Sequence, residues 1–269
     1  MKNGAALDSR GEEQTIRTMT TVLRKRRTRR WAICAALGVV FGSSVATLVA
    51  LALTRIAPSW WRSVRRDDPE VLALGQQVEN SVVNRIYKNR ADGAPPSGSW
   101  HSDPWTIEVS APQANAWLNA RLPKWIANQA EEFRWPKDVT EVQVQFESSR
   151  IVVGAKVKAG DRTQVVTATL EPRLERDGRL FMPATWVNVG RLAIPADWVL
   201  DHARRNAGDY LPRDLKGLPE TDLAFRAFAG EQAVRTSTLI NLGDGRSVRI
   251  LAIEPRDGSL LLTCQTELE

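Results

Sequence analysis

Two histidines are the only imidazoles in 269 residues, and each has neighbours that could make chemistry of it. His202 follows Asp201 directly, with Asp197 one helical turn earlier. A carboxylate beside an imidazole is the arrangement of a general acid–base pair. The same spacing also describes the solvated face of an amphipathic helix, and that is the reading adopted. His101-Ser102-Asp103 holds the three residue types of a hydrolase triad. Adjacent residues do not normally converge on one reacting atom, however, and these three stand in a Pro/Gly-rich loop. Gly243-Asp244-Gly245 lacks the strand-to-helix setting and third glycine of a dinucleotide site and reads as a hairpin turn. No Gly-x-x-x-x-Gly-Lys, His-Glu-x-x-His or Gly-x-Ser-x-Gly occurs. Cys34 and Cys264 are too differently placed to pair. The sequence therefore nominates no catalytic residue, no metal site and no cofactor.

Tryptophan is the residue type that stands out. There are ten, and Trp100, Trp105, Trp117, Trp125 and Trp135 fall within 36 residues. Such a cluster serves either as core packing or as the wall of an apolar groove, since an indole suits a site with one apolar and one wet side. Under the groove reading the ligand contacts are Trp117 and Leu118 on a helix, Trp186 on a strand and Trp198 on a later helix. A helix lying over a curved sheet would leave the gap between Trp117 and Trp186.

The elements that must position these residues begin at Trp31. Residues 31–54 contain no charged residue, no His, Asn or Gln, and no Pro. At about 1.5 Å per residue the run reaches ~36 Å, against a hydrocarbon core of ~30 Å. Residues 1–30 hold nine Lys/Arg against three acids, which orients a signal anchor with its N-terminus in the cytoplasm. Trp31 on one side and Trp60-Trp61 on the other suit the two membrane–water boundaries. A cleaved signal peptide ending at Ala50-Leu51-Ala52 is the rival reading, weakened by the length of the run and of the tail before it. The expected organisation is a basic cytoplasmic tail (1–30), a transmembrane signal anchor (31–54), a juxtamembrane linker (55–68) and an extracytoplasmic domain (69–269). Residues 55–269 carry 28 Lys/Arg and 28 Asp/Glu, so the formal +6 belongs to the tail. Anionic membrane lipids answer that charge, and nucleic acid is not expected as a partner.

Within the domain, Asp68-Pro69 is a helix start, and Val71, Leu74, Val78, Val82 and Ile86 form one stripe at helical spacing. Trp105 to Val109 reads as a strand. Ser110 with Gln113 makes a capping box for a second helix, on which Ala114, Trp117 and Leu118 share a face, and Pro123 breaks it. A further helical piece is expected through Trp125, Ile126 and Phe133. From Val139 the period becomes two. Val142, Val144 and Phe146 alternate with Glu141, Gln143, Gln145 and Glu147, the pattern of a half-buried strand. Strands around Ile151–Val157, Val166–Leu170 and Leu180–Val189 complete a four-strand meander, the last apolar on both faces. Pro195 opens a helix, Leu223, Phe225 and Phe228 suggest another, and Asp257-Gly258 joins two final strands. The fold class expected is α+β: one transmembrane helix, then a curved antiparallel sheet of about seven strands packed with helices.

Trp105 to Leu118, Gly178-Arg179-Leu180 and Val189-Gly190-Arg191-Leu192-Ala193-Ile194-Pro195 together resemble the YpmS-like bacterial proteins. These are single-pass anchored extracytoplasmic α+β proteins, loosely similar to tubular lipid-binding half-barrels. The resemblance covers about residues 31–200 and implies a binding role without carrying over a catalytic residue. The expectation is thus a non-enzymatic domain at the cytoplasmic (inner) membrane that binds a lipid or other apolar ligand. The alternative is a membrane-anchored scaffold or regulator of a protein partner in the cell envelope.

Overall fold

The computed structural model describes residues 42–88, 100–129, 137–205, 219–234, 238–242 and 245–268. Two compact units divide the chain, Met1–Ala52 and Leu53–Glu269. Of the apolar run, residues 31–41 lie outside the described residues. The remainder forms a helix, α1, over residues 42–55. Among the described residues no helix is long and apolar enough to cross a membrane. The transmembrane helix expected over residues 31–54 is corrected accordingly: within the described residues the helical part of that stretch is 42–55, about 21 Å long. The chain from Leu53 onward already belongs to the second unit.

The second unit contains α2 (Pro69–Lys88), α3 (Ala111–Ala120), α4 (Leu122–Gln129), α5 (Ala196–Arg205) and α6 (Pro219–Phe228). Its strands are β1 (Trp100–His101), β2 (Trp105–Ser110), β3 (Val139–Glu147), β4 (Arg150–Ala159), β5 (Arg162–Leu170), β6 (Arg173–Leu174), β7 (Leu180–Phe181), β8 (Ala184–Val189), β9 (Leu192–Pro195), β10 (Leu239–Asn241), β11 (Arg246–Arg256) and β12 (Ser259–Leu268). Instead of one sheet of about seven strands, the described residues form two five-stranded sheets and a two-stranded ribbon, β6–β7. The central sheet runs β3-β4-β5-β8-β9, antiparallel throughout. The terminal sheet runs β1-β12-β11-β10, with β2 also paired to β12. The expected four-strand meander gains β9, and the Leu180–Val189 stretch is divided between the ribbon and β8.

Local chemistry explains the helices that matter here. Asp68 caps α2, accepting the Glu70 N–H on its side chain at 3.0 Å, and Pro69 fills the first helical position. The Val71–Ile86 stripe is half-buried along its length. At Gly75 an added Cβ would lie 3.3 Å from the Ala116 carbonyl oxygen, so the missing side chain lets α2 and α3 approach closely. Ser110 and Gln113 close the capping box of α3.

Among the described residues three apolar clusters hold the unit together. Trp105, Val248 and Cys264 with Ile86 lie between the terminal sheet and α2, and the Trp105 indole N–H donates to Thr266 Oγ1 at 3.1 Å. Ala111, Phe146 and Ile151 join α3 to the central sheet. Leu170, Ala184, Ala196 and Leu200 seat α5 on β5 and β8. The two sheets meet at their hairpin tips. Gly258 N–H donates to the Phe146 carbonyl at 3.0 Å, and Ser149 N–H donates to the Pro255 carbonyl at 3.0 Å.

The other face of the central sheet is covered too. Residues 53–66 cross it, with Trp60 and Trp61 over Gly154, where a Cβ would fall 2.7 Å from the Trp61 ring. Val64 N–H donates to Glu141 Oε1 at 2.6 Å, and Ser63 Oγ donates to Glu141 Oε2 at 3.0 Å. The Gln143 amide donates to the Arg62 carbonyl. Glu141 and Gln143, placed by their alternation on a solvent face, are buried at 4% and 1% exposure.

Candidate functional site

An apolar cavity of about 620 Å³ lies between α2, α3, α4 and the central sheet. Its helical wall is Val78 and Val82 of α2 with Ala114, Trp117 and Leu118 of α3. The floor is Val144 and Phe146 of β3 with Ile151 and Val153 of β4, residues that two-residue alternation sends to the same face. Leu260 of β12 and Met182 close one end. Val83 and Trp125 also line it, and their 43% and 53% exposure places them at the mouth.

Among the described residues one charged side chain, Glu79, lines the cavity. Glu79 Oε2 receives the Arg121 Nε–H at 2.7 Å, and that hydrogen bond holds the carboxyl below its usual range. Glu79 is therefore ionised at neutral pH and paired at the rim. The arrangement can enclose an apolar body and offer one polar contact where the cavity meets water. Among the described residues no group of three His, Cys, Asp or Glu could hold a metal ion.

The expected ligand contacts separate. Trp117 and Leu118 line this cavity. Trp186 does not, because it faces the opposite side of the central sheet from Val187 and lines a second cleft with Trp60. Trp198 lines neither; it is 59% exposed on α5 and stacks on His202, ring centres 5.6 Å apart. The gap expected between Trp117 and Trp186 is thus two hollows with a sheet between them. Phe133, expected in the same helical piece as Trp125, and Trp135, expected just beyond its end, lie outside the described residues.

The histidine motifs resolve into structure. Ser102 accepts the Thr266 N–H at 3.0 Å and donates to the Asp103 carbonyl at 2.8 Å, so its hydroxyl anchors β1 to β12. His101 pairs in register with Glu267. Cys264 is buried, and burial pushes its thiol up to about 11. The folded thiol holds its proton more tightly than the unfolded one. The stability this confers is complete below about pH 9 and fades as the pH rises towards 11. Iodoacetamide at pH 8 should leave Cys264 unmodified in the folded chain and alkylate it readily in denaturant, read by peptide mass mapping. Rapid alkylation of the folded chain would contradict that protection.

The sequence reading assigned no role to two side chains. Asn115 and Asn119, one turn apart on α3, bond the outward backbone of β3. Val144 N–H donates to Asn115 Oδ1 at 2.6 Å, and Val142 N–H donates to Asn119 Oδ1 at 3.1 Å. Their amides return donors to the Val144 and Val142 carbonyls at 3.1 and 2.6 Å. The two asparagines stand in for a neighbouring strand and fix the wall that carries Trp117 against the floor that carries Val144. The i, i+4 spacing of the two asparagines beside a helix cap was the available signal.

Comparison with protein-family models, with curated proteins and with solved structures returned no match, so the YpmS-like resemblance rests on its own residues.

Proposed function

We propose that the chain is a non-catalytic binding protein whose cavity takes a lipid acyl chain or another apolar ligand. The observation that carries this reading is the cavity itself. Its volume of about 620 Å³ lies in the range of small-molecule sites, and its lining is apolar except for Glu79. Open apolar surface of this extent is unfavourable in water unless something fills it. The ionised Glu79–Arg121 pair at the rim suits an amphiphile that keeps its polar end in solvent. The rival role, a scaffold or regulator of a protein partner, needs an exposed apolar patch and has no use for a hollow. Placement in the cell envelope is inferred from the basic tail and the apolar composition of residues 31–54. Fractionation of cells expressing the full chain tests it, and recovery from the cytosol alone would overturn it.

Titration of the chain with cis-parinaric acid tests the binding reading. Saturable fluorescence enhancement is expected, weakened at least about tenfold in Ala114→Trp, whose indole would occupy the space beside Trp117. Circular dichroism controls for folding of the variant. No enhancement with the parent chain, or an equal one with a folded Ala114→Trp, would remove the proposal.

A further inference from the structure

We propose, resting on the binding role above, that the apolar cavity selects an uncharged amphiphile whose head donates a hydrogen bond, such as a long-chain alcohol or a monoacylglycerol. The selecting group is Glu79. Its Oε2 is taken by the Arg121 Nε–H at 2.7 Å, and among the described residues its Oε1 receives no hydrogen bond. Glu79 lines the cavity, whereas Arg121 reaches it from behind and is not part of the lining. The carboxylate therefore presents its second oxygen to whatever enters. With 38% of its side chain in water, that oxygen sits where the cavity opens to solvent.

Both partners of the pair are held. Glu79 stands in the middle of α2, between Val78 and Val82 on the cavity wall. Arg121 is the C-cap of α3, and its stem passes over Gly75, where an added Cβ would lie 3.3 Å from Arg121 Cγ. The bond to Arg121 keeps the carboxyl below its usual range, so at neutral pH it is ionised.

An ionised carboxylate accepts hydrogen bonds and donates none, so the head that faces it must bring the proton. A fatty carboxylate has none to give at neutral pH and adds a second negative charge beside Glu79. It enters by its chain alone, with the head left in water at the mouth between Val83 and Trp125. An ammonium donates, but Arg121 already balances Glu79. A second cation there would lose hydration and gain little from a neutralised pair. A hydroxyl donates to Oε1 without bringing a charge out of water.

Displacement of bound cis-parinaric acid by decanol, decanoate and decylamine at pH 7 tests this on the full chain. Decanol is expected to displace the probe at the lowest concentration. Partition alone favours an alcohol in any apolar site, so the deciding quantity is the change in ratios between proteins. In Glu79→Gln, whose carboxamide repels no anion, the advantage of decanol over decanoate should fall at least about fivefold. A merely structural role for Glu79 would weaken all three alike. Arg121→Met keeps a stem over Gly75 but removes the counter-charge, and should move the preference from decanol towards decylamine at least about fivefold. Circular dichroism confirms that each variant is folded. Unchanged ratios in either folded variant, or easier displacement from the parent by decanoate or decylamine than by decanol, would overturn the selectivity and leave the cavity an apolar site. No parinaric acid binding by the parent would instead overturn the binding role itself.

Discussion

Asn119→Ala should lower the stability of the domain by about 2–4 kcal/mol, one of the largest losses expected from a single polar side chain here. Asn119 is only 2% exposed, and its amide is the partner of both backbone groups of Val142. β3 is an edge strand of the central sheet, so no further strand can take over when the amide is removed. Val142 N–H and C=O would then face the methyl of an alanine across the α3–β3 junction, each unsatisfied group costing about 1–3 kcal/mol. For a unit of this size that corresponds to a fall in Tm of about 6–12 °C. Asn115→Ala should cost less, since Asn115 is only half-buried and water can reach Val144 more easily. The two losses should not add, because both amides hold the same stretch of β3, at Val144 and Val142, against α3. A Tm for Asn119→Ala within 2 °C of the parent would show that the amide ladder does not hold α3 on the sheet.

What the sequence reveals and conceals follows from how local each cause is. The α3 cap, the α2 stripe and the Asp257-Gly258 hairpin depend on residues a few positions apart, and all three can be read directly. Alternation along β3 separates its two faces correctly, with Val142 and Val144 on the cavity side. It does not tell that Glu141 and Gln143 are buried, because the segment that covers them, residues 62–64, is about eighty positions away. On β8 both faces are apolar, so alternation carries no information about which side belongs to which hollow. A shift of one residue changes the side of the sheet. Trp186 and Val187 differ by that single step, which is why Trp117 and Trp186 looked like two walls of one groove. The Trp117–Leu118 half of the expected site was legible because a capped helix with one apolar face leaves little choice of orientation.

The covering segment itself depends on one glycine, and Gly190→Ala should detach it. Gly190 has φ +60°, in the left-handed region that costs an alanine roughly 1–2 kcal/mol. Its surroundings add more. A Cβ there would lie 2.5 Å from the carbonyl oxygens of both Leu53 and Thr54, and backbone atoms cannot swing aside as a side chain can. Relief requires residues 53–57 to move off the β8–β9 turn. The Arg191 hydrogen bonds to Leu53 and Ala57 would then be lost and the cleft beside Trp60 opened. Gly160 supplies the control, with φ +61° and nothing within 4 Å of an added Cβ. Gly160→Ala should therefore show the backbone penalty alone, while Gly190→Ala should lose about 3 kcal/mol or more. Hydrogen exchange separates the two further: the Arg191 amide should exchange faster in Gly190→Ala and at the parent rate in Gly160→Ala. Equal stabilities for the two variants, with Arg191 protected in both, would mean that residues 53–57 are not held against the sheet through this turn.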